Sequence, residues 1–176
     1  PGLEENAIMI DSVSKRYSLC GERVGAMISR NKKLLATALK FAHLRLSPAT
    51  YALMASEAAL SAPSSYLKEV VKEYTARKNT LMAALSKIKG VRVSNPTGAF
   101  YCMVELPVKD AERFSKWLLT DFSYENDTIM FAPAAGFYST PGYGLKEVRI
   151  GFVLNEEKLI RTAHILEKAL EVYPNY

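Results

Sequence analysis

The chain has 176 residues, 49% of them hydrophobic and 23% charged, with a formal net charge of +5 at neutral pH. Those proportions suit a soluble globular protein with one good core, or a small domain plus a piece of another, and no stretch is long enough to suggest a membrane-spanning helix. Cys20 and Cys102 lie far apart without metal-type spacing and read as free thiols of a reducing compartment; no charged-then-apolar leader is visible, so a cytoplasmic location is expected.

In chain order, residues 7–11 (with Ala7-Ile8-Met9-Ile10) read as a buried strand and 23–28 as a second strand. From about Asn31 to His43, Leu34, Leu35, Ala38, Leu39 and Ala42 form a helical stripe. Ser47-Pro48 predicts the start of another helix, serine as its cap and proline in its first turn, running to about Ser61. Ala62-Pro63-Ser64-Ser65 breaks it, and a long helix follows to about Lys89 on Leu67, Val70, Tyr74, Leu81, Leu85 and Ile88, with Gly90 at its C-terminal end.

The texture then changes. Strands are predicted at Val91–Val93, Phe100–Leu106, Thr128–Phe131 and Val148–Val153. Asp110 caps a helix with Phe114, Trp117 and Leu118 on one face. A last helix begins at Asn155-Glu156-Glu157, its acidic first turn complementing the dipole, and turns Leu159, Ile160, Ala163, Leu166 and Leu170 inward. Strands separated by helices on one side predict a compact α/β layer, without internal repeats.

The chemistry concentrates in Ser12–Gly25 (SVSKRYSLCGERVG). Lys15 stands where the first strand gives way to a turn, between the small hydroxyls of Ser12 and Ser14, with Arg23 eight positions on. An amine beside hydroxyls and a fixed cation suits a Schiff base with an aldehyde that carries a phosphate. A solvated surface lysine is the alternative for an isolated Ser-x-Ser-Lys. Arg149, between Val148 and Ile150, sits mid-strand where a charge needs a partner, and its planar fork suits a carboxylate; a structural ion pair is the alternative.

The spacing of Ser12, Val13, Ser14, Lys15, Ser18, Leu19, Gly21, Arg23, Val24 and Gly25 resembles the pyridoxal-phosphate attachment signature of class I/II aminotransferases, the fold type I enzymes related to aspartate aminotransferase. Asn95-Pro96-Thr97-Gly98-Ala99-Phe100-Tyr101 resembles a strand entry of that family. Ala132-Pro133-Ala134-Ala135-Gly136-Phe137-Tyr138, followed by Glu147-Val148-Arg149-Ile150, resembles the segment ending in its substrate-carboxylate arginine.

The resemblance implies an α/β fold: the C-terminal part of a fold type I transferase dependent on pyridoxal 5'-phosphate. Residues 1–65 would hold the last two strands and helices of the large domain, 66–90 a long linking helix, and 91–176 a small domain with a mainly antiparallel sheet. It makes Lys15 the Schiff-base lysine and catalytic base, and places Ser12, Ser14 and Arg23 around the cofactor phosphate. Arg149 would bind the substrate carboxylate, and Phe100 with the Gly136-Phe137-Tyr138 loop would line the substrate side; for Phe100 packing is the alternative.

The implied activity is amino-group transfer between an L-amino acid and a 2-oxo acid. Aspartate with 2-oxoglutarate is favoured because Gly136-Phe137-Tyr138-Ser139-Thr140-Pro141-Gly142 looks most like the aspartate aminotransferase branch. The family's ring-nitrogen aspartate, ring-oxygen asparagine and tyrosine, and stacking aromatic normally lie upstream, so the fragment alone is expected to be inactive. A longer parent is expected to be a homodimer. No metal site is expected, since only His43 and His164 are available, away from the cysteines. Basic residues interleaved with acidic ones, and no base-stacking motif, speak against nucleic acid, and no membrane partner is expected. The rival readings are a lyase or decarboxylase on the same scaffold, or a cofactor-binding sensor domain of a transcription regulator.

Overall fold

A computed structural model describes residues 2–174. Contacts divide the chain into two compact units, Pro1–Lys68 and Glu69–Tyr176, with the boundary inside one helix.

In the first unit, β1 (Ile8–Ser12) runs into a single helical turn, α1 (Val13–Arg16). β2 (Gly25–Ser29) returns antiparallel to β1, in the register Ile8↔Ser29 through Ser12↔Gly25. The first strand is not buried as its composition suggests: Ile8, Met9 and Ile10 are exposed, Ile10 by 72%. A ribbon of two strands covers neither face of its own sheet, so apolar composition here does not produce burial. The second strand starts two residues later than expected, because Arg23 adopts a left-handed conformation (φ 58°) that cannot continue a ladder.

Helix α2 (Lys32–Arg45) is capped by Asn31, whose side chain accepts from the Leu34 amide at 2.9 Å. Helix α3 (Thr50–Leu60) begins later than the Ser-Pro pair predicts. The chain lacks helical structure from Leu46 to Ala49, and Ala49 takes the cap position without a side-chain hydrogen bond.

Helix α4 (Ser64–Leu85) has 22 residues and ends before Lys89. Its stripe is buried only in the second unit: Leu81, Leu85 and Ile88 are in the core, whereas Leu67 is exposed. Tight turns then close on Gly90 at φ 81°, where an added Cβ would come within 2.9 Å of Pro107.

The second unit holds an antiparallel sheet ordered β3 (Arg92–Val93), β4 (Tyr101–Glu105), β6 (Glu147–Gly151), β5 (Ala132–Pro133). The central ladder pairs Tyr101↔Gly151, Met103↔Arg149 and Glu105↔Glu147. Cys102, Val104, Val148 and Ile150 fill one face, packed with Phe114 and Leu118 of α5 (Ala111–Thr120) and Leu159 and Leu166 of α6 (Glu156–Val172). Asp110 caps α5 by accepting from the Glu112 and Arg113 amides at 2.9 and 3.0 Å, and Asn155 caps α6.

Two expectations change here. Residues 128–131 are not a strand; Ile129 and Phe131 are buried and Met130 is 79% exposed, so the two-residue alternation marks burial without backbone pairing. The paired residues are Ala132 and Pro133, at the sheet edge where a missing proline N–H is tolerated. Ile160 is 55% exposed, because the buried stripe of α6 runs through Leu159, Ala163, Leu166 and Ala169 and passes it by. Among the described residues no helix is long and apolar enough to cross a membrane, and no cluster of histidine, cysteine or carboxylate could hold a metal ion.

Both cysteines are free, Cys20 exposed and Cys102 buried. Burial pushes the Cys102 thiol up to about 11, so its thiolate is scarce near neutrality. Alkylation with iodoacetamide at pH 8 should therefore label Cys20 in the folded protein and reach Cys102 only after unfolding. Mass mapping checks this; equal labelling of both under native conditions contradicts the burial.

Candidate functional site

The β1–α1–β2 turn carries the lysine motif. Ser12 is extended (φ −157°, ψ 147°), and its Oγ accepts from the Ser14 amide at 3.0 Å, which caps α1. Val13 is buried and anchors the turn, while Lys15 and Arg16 sit in its last positions. Arg16 pairs with Asp11 at 3.1 Å, and Tyr17 stacks on Tyr66 with ring centroids 6.2 Å apart.

Pairing of Ser12 with Gly25 brings the start of β2 beside the end of β1. A Cβ at Gly25 would lie 3.0 Å from the Asp11 carbonyl oxygen, so glycine permits this approach. Arg23 precedes the strand and donates from Nη1 to the Cys20 carbonyl at 2.8 Å, which fixes its fork.

Ser12, Ser14 and Arg23 consequently line one open pocket of about 320 Å³, together with Asp11 and Gly25. Lys15 is exposed on α1 and is not part of that pocket's wall. Two hydroxyls and a guanidinium fit a phosphate, and the Asp11 carboxylate in the same wall is matched by Arg16. The Ser12 hydroxyl accepts from an amide and so keeps its own proton for an anion.

The second unit holds Arg149 in the middle of β6. Its guanidinium carbon lies 4.4 Å from the Tyr101 ring centre and 4.8 Å from that of Phe137. Among the described residues no carboxylate forms an ion pair with it. The rings replace some hydration by attraction to the cation and leave its N–H fork unmatched. Phe100 is half-buried, with ring centres 5.6 Å from Tyr74 and 4.6 Å from Tyr101.

Sequence reasoning overlooked Tyr101. Its signal is the alternation along β4: Tyr101 and Met103 share a face, and Met103 is opposite Arg149. Also unforeseen is the bond from the Tyr138 hydroxyl to Glu147 Oε2 at 2.5 Å, which holds the Tyr138 phenol above its ordinary range. Arg92 pairs with Glu105 on the same face, which raises the Arg92 guanidinium in turn.

The family model for aminotransferase class I and II matches residues 2–166. The chain belongs to this family. Of its relatives, the aspartate aminotransferase of Pyrococcus horikoshii is 30% identical across 95% of this chain and 42% of its own length. The α-aminoadipate aminotransferase of Thermus thermophilus, solved with N-(5'-phosphopyridoxyl)-L-leucine, superposes with a TM-score of 0.78 at 25% identity, over 93% of this chain and 41% of that one. The aspartate aminotransferase of Thermotoga maritima gives 0.75 at 28% identity, over 93% and 40%.

The chain thus spans about two fifths of the length of the relatives it matches. Its mixed α/β architecture with antiparallel sheets agrees with the C-terminal part of a fold type I enzyme, and its family implies pyridoxal phosphate as cofactor.

If the Ser12–Ser14–Arg23 pocket receives a phosphate, Arg23→Ala should weaken binding of pyridoxal phosphate or inorganic phosphate at least tenfold. Loss of a charge-assisted hydrogen bond costs about 1.5–3 kcal/mol. Equilibrium dialysis measures this, and unchanged affinity removes Arg23 from the site.

Proposed function

We propose that this chain is the C-terminal part of a pyridoxal-phosphate aminotransferase that moves an amino group between an L-amino acid, aspartate first, and a 2-oxo acid. The observation that carries the reading is Arg149: a guanidinium between two aromatic rings, with no ion pair to any described carboxylate. Such a group suits an arriving α-carboxylate, gripped by two parallel hydrogen bonds that orient the Cα–H bond. The family match and the phosphate-suited pocket around Ser12, Ser14 and Arg23 support it further.

Pyridoxal phosphate, when bound, supplies an electron sink for charge developing at the substrate Cα. The remaining work belongs to the protein. Ser12, Ser14 and Arg23 hold the phosphate. Lys15 Nζ would hold the cofactor's aldehyde and, when its amine is free, would accept the proton from Cα. Phe100 and Phe137 bound the substrate side. The parent acts as a cytoplasmic homodimer, with residues 1–65 completing a large domain, 66–90 linking, and 91–176 forming a small one. Its partners are amino and 2-oxo acids, without nucleic acid or membrane.

In the fuller protein, Lys15→Ala should abolish the visible absorption of bound cofactor and turnover of L-aspartate with 2-oxoglutarate. Retained turnover overturns the role of Lys15. A cofactor band indifferent to every amino acid instead favours a sensor. Arg149→Lys should raise the substrate KM tenfold or more with cofactor affinity nearly unchanged, since lysine cannot reproduce the paired contact. Loss of cofactor in that variant places Arg149 elsewhere.

A further inference from the structure

We propose that Tyr138 is a positioning residue for Arg149: it holds Glu147 away from the guanidinium. The proposal rests on the carboxylate-binding reading of Arg149, and deepens it.

Glu147 and Arg149 are two residues apart on β6, so their side chains share a face at roughly 6.5–7 Å backbone spacing. Two long, opposite charges at that distance would ordinarily meet. Glu105, opposite Glu147 in the ladder, lies diagonally across from Arg149 on that face. Arg149 therefore stands near two carboxylates and pairs with neither.

Each carboxylate is engaged elsewhere. Arg92 takes Glu105, with Nε 2.9 Å from Oε2. Tyr138 takes Glu147 with a 2.5 Å hydrogen bond from its hydroxyl, the short geometry of a phenol donating to a charged acceptor.

Tyr138 is itself held. A Cβ at Gly144 would lie 2.6 Å from two carbons of the Tyr138 ring, so the ring rests against the glycine, which adopts φ 72°. The Gly144 carbonyl in turn accepts from the Glu147 amide at 3.0 Å. Phe137, the preceding residue, is 54% exposed with its ring over Arg149. Its loop hydrogen bonds run from its own amide to Ala134 O and from the Tyr138 amide to Ala135 O.

The test is the ¹⁵N–¹H spectrum of arginine Nε–H groups in the full chain without ligand, with Arg149 assigned by its loss in Arg149→Lys. Tyr138→Phe keeps the ring and removes the hydroxyl. It should move the Arg149 signal to an ion-paired position as Glu147 swings onto it, and Tyr138→Phe/Glu147→Gln should return it to the wild-type shift. Glu147→Gln alone should leave the signal in place. An unmoved signal in Tyr138→Phe, or no return in the double variant, overturns the proposal; general loosening of the loop would not be rescued by removing one charge.

Acetate then probes the carboxylate site. Its affinity should fall several-fold in Tyr138→Phe and recover in the double variant. If acetate leaves Arg149 unmoved in the wild type, the carboxylate reading fails, while the hold of Tyr138 on Glu147 is still decided by the ligand-free spectra.

Discussion

The ladder between β4 and β6 separates core from chemistry within the second unit. Its five residue pairs send Cys102, Val104, Val148 and Ile150 to one side, against α5 and α6. Burial of each large aliphatic side chain there contributes about 1.5–3 kcal/mol. The same register sends Tyr101, Met103, Glu105, Glu147 and Arg149 to the other side. A slip of one residue would exchange the two sets, so the hydrophobic face fixes where the guanidinium points.

That polar face is balanced by pairing. Glu105 and Glu147 are directly opposite, an unfavourable placement for like charges. Arg92 and Tyr138 each engage one of them, and Arg149 is left between rings. Aromatic faces supply attraction without competing for the N–H fork, which an ion pair would occupy.

In the first unit the organising contact is the close passage of β2 by β1 at Gly25 and Ser12. It lets Arg23, in a left-handed conformation, reach the same pocket as residues eleven and nine positions earlier in the chain. The donors therefore come together through one strand pairing and one capped turn.

Much of this was legible locally. Asp110 and Asn155 cap their helices because a short polar acceptor before an apolar period needs no distant partner. Ser12, Ser14, Lys15 and Arg23 stand out by spacing alone. Errors arose where burial or pairing depends on distant chain: the exposed Ile8–Ile10, the unpaired residues 128–131, and Ile160 outside its stripe. Apolar composition states what could be buried, whereas coverage by another layer decides it.

By itself, then, the sequence determined the helices, the family signature and the residue types able to hold a phosphate and a carboxylate. Only the tertiary structure decided that Tyr101 and Phe137 flank Arg149 and that Tyr138 holds Glu147. Those contacts join residues as many as 48 positions apart, as Tyr101 is from Arg149, through strand register and a clamped loop. Spacing along a chain cannot encode a register that only packing of the opposite face selects.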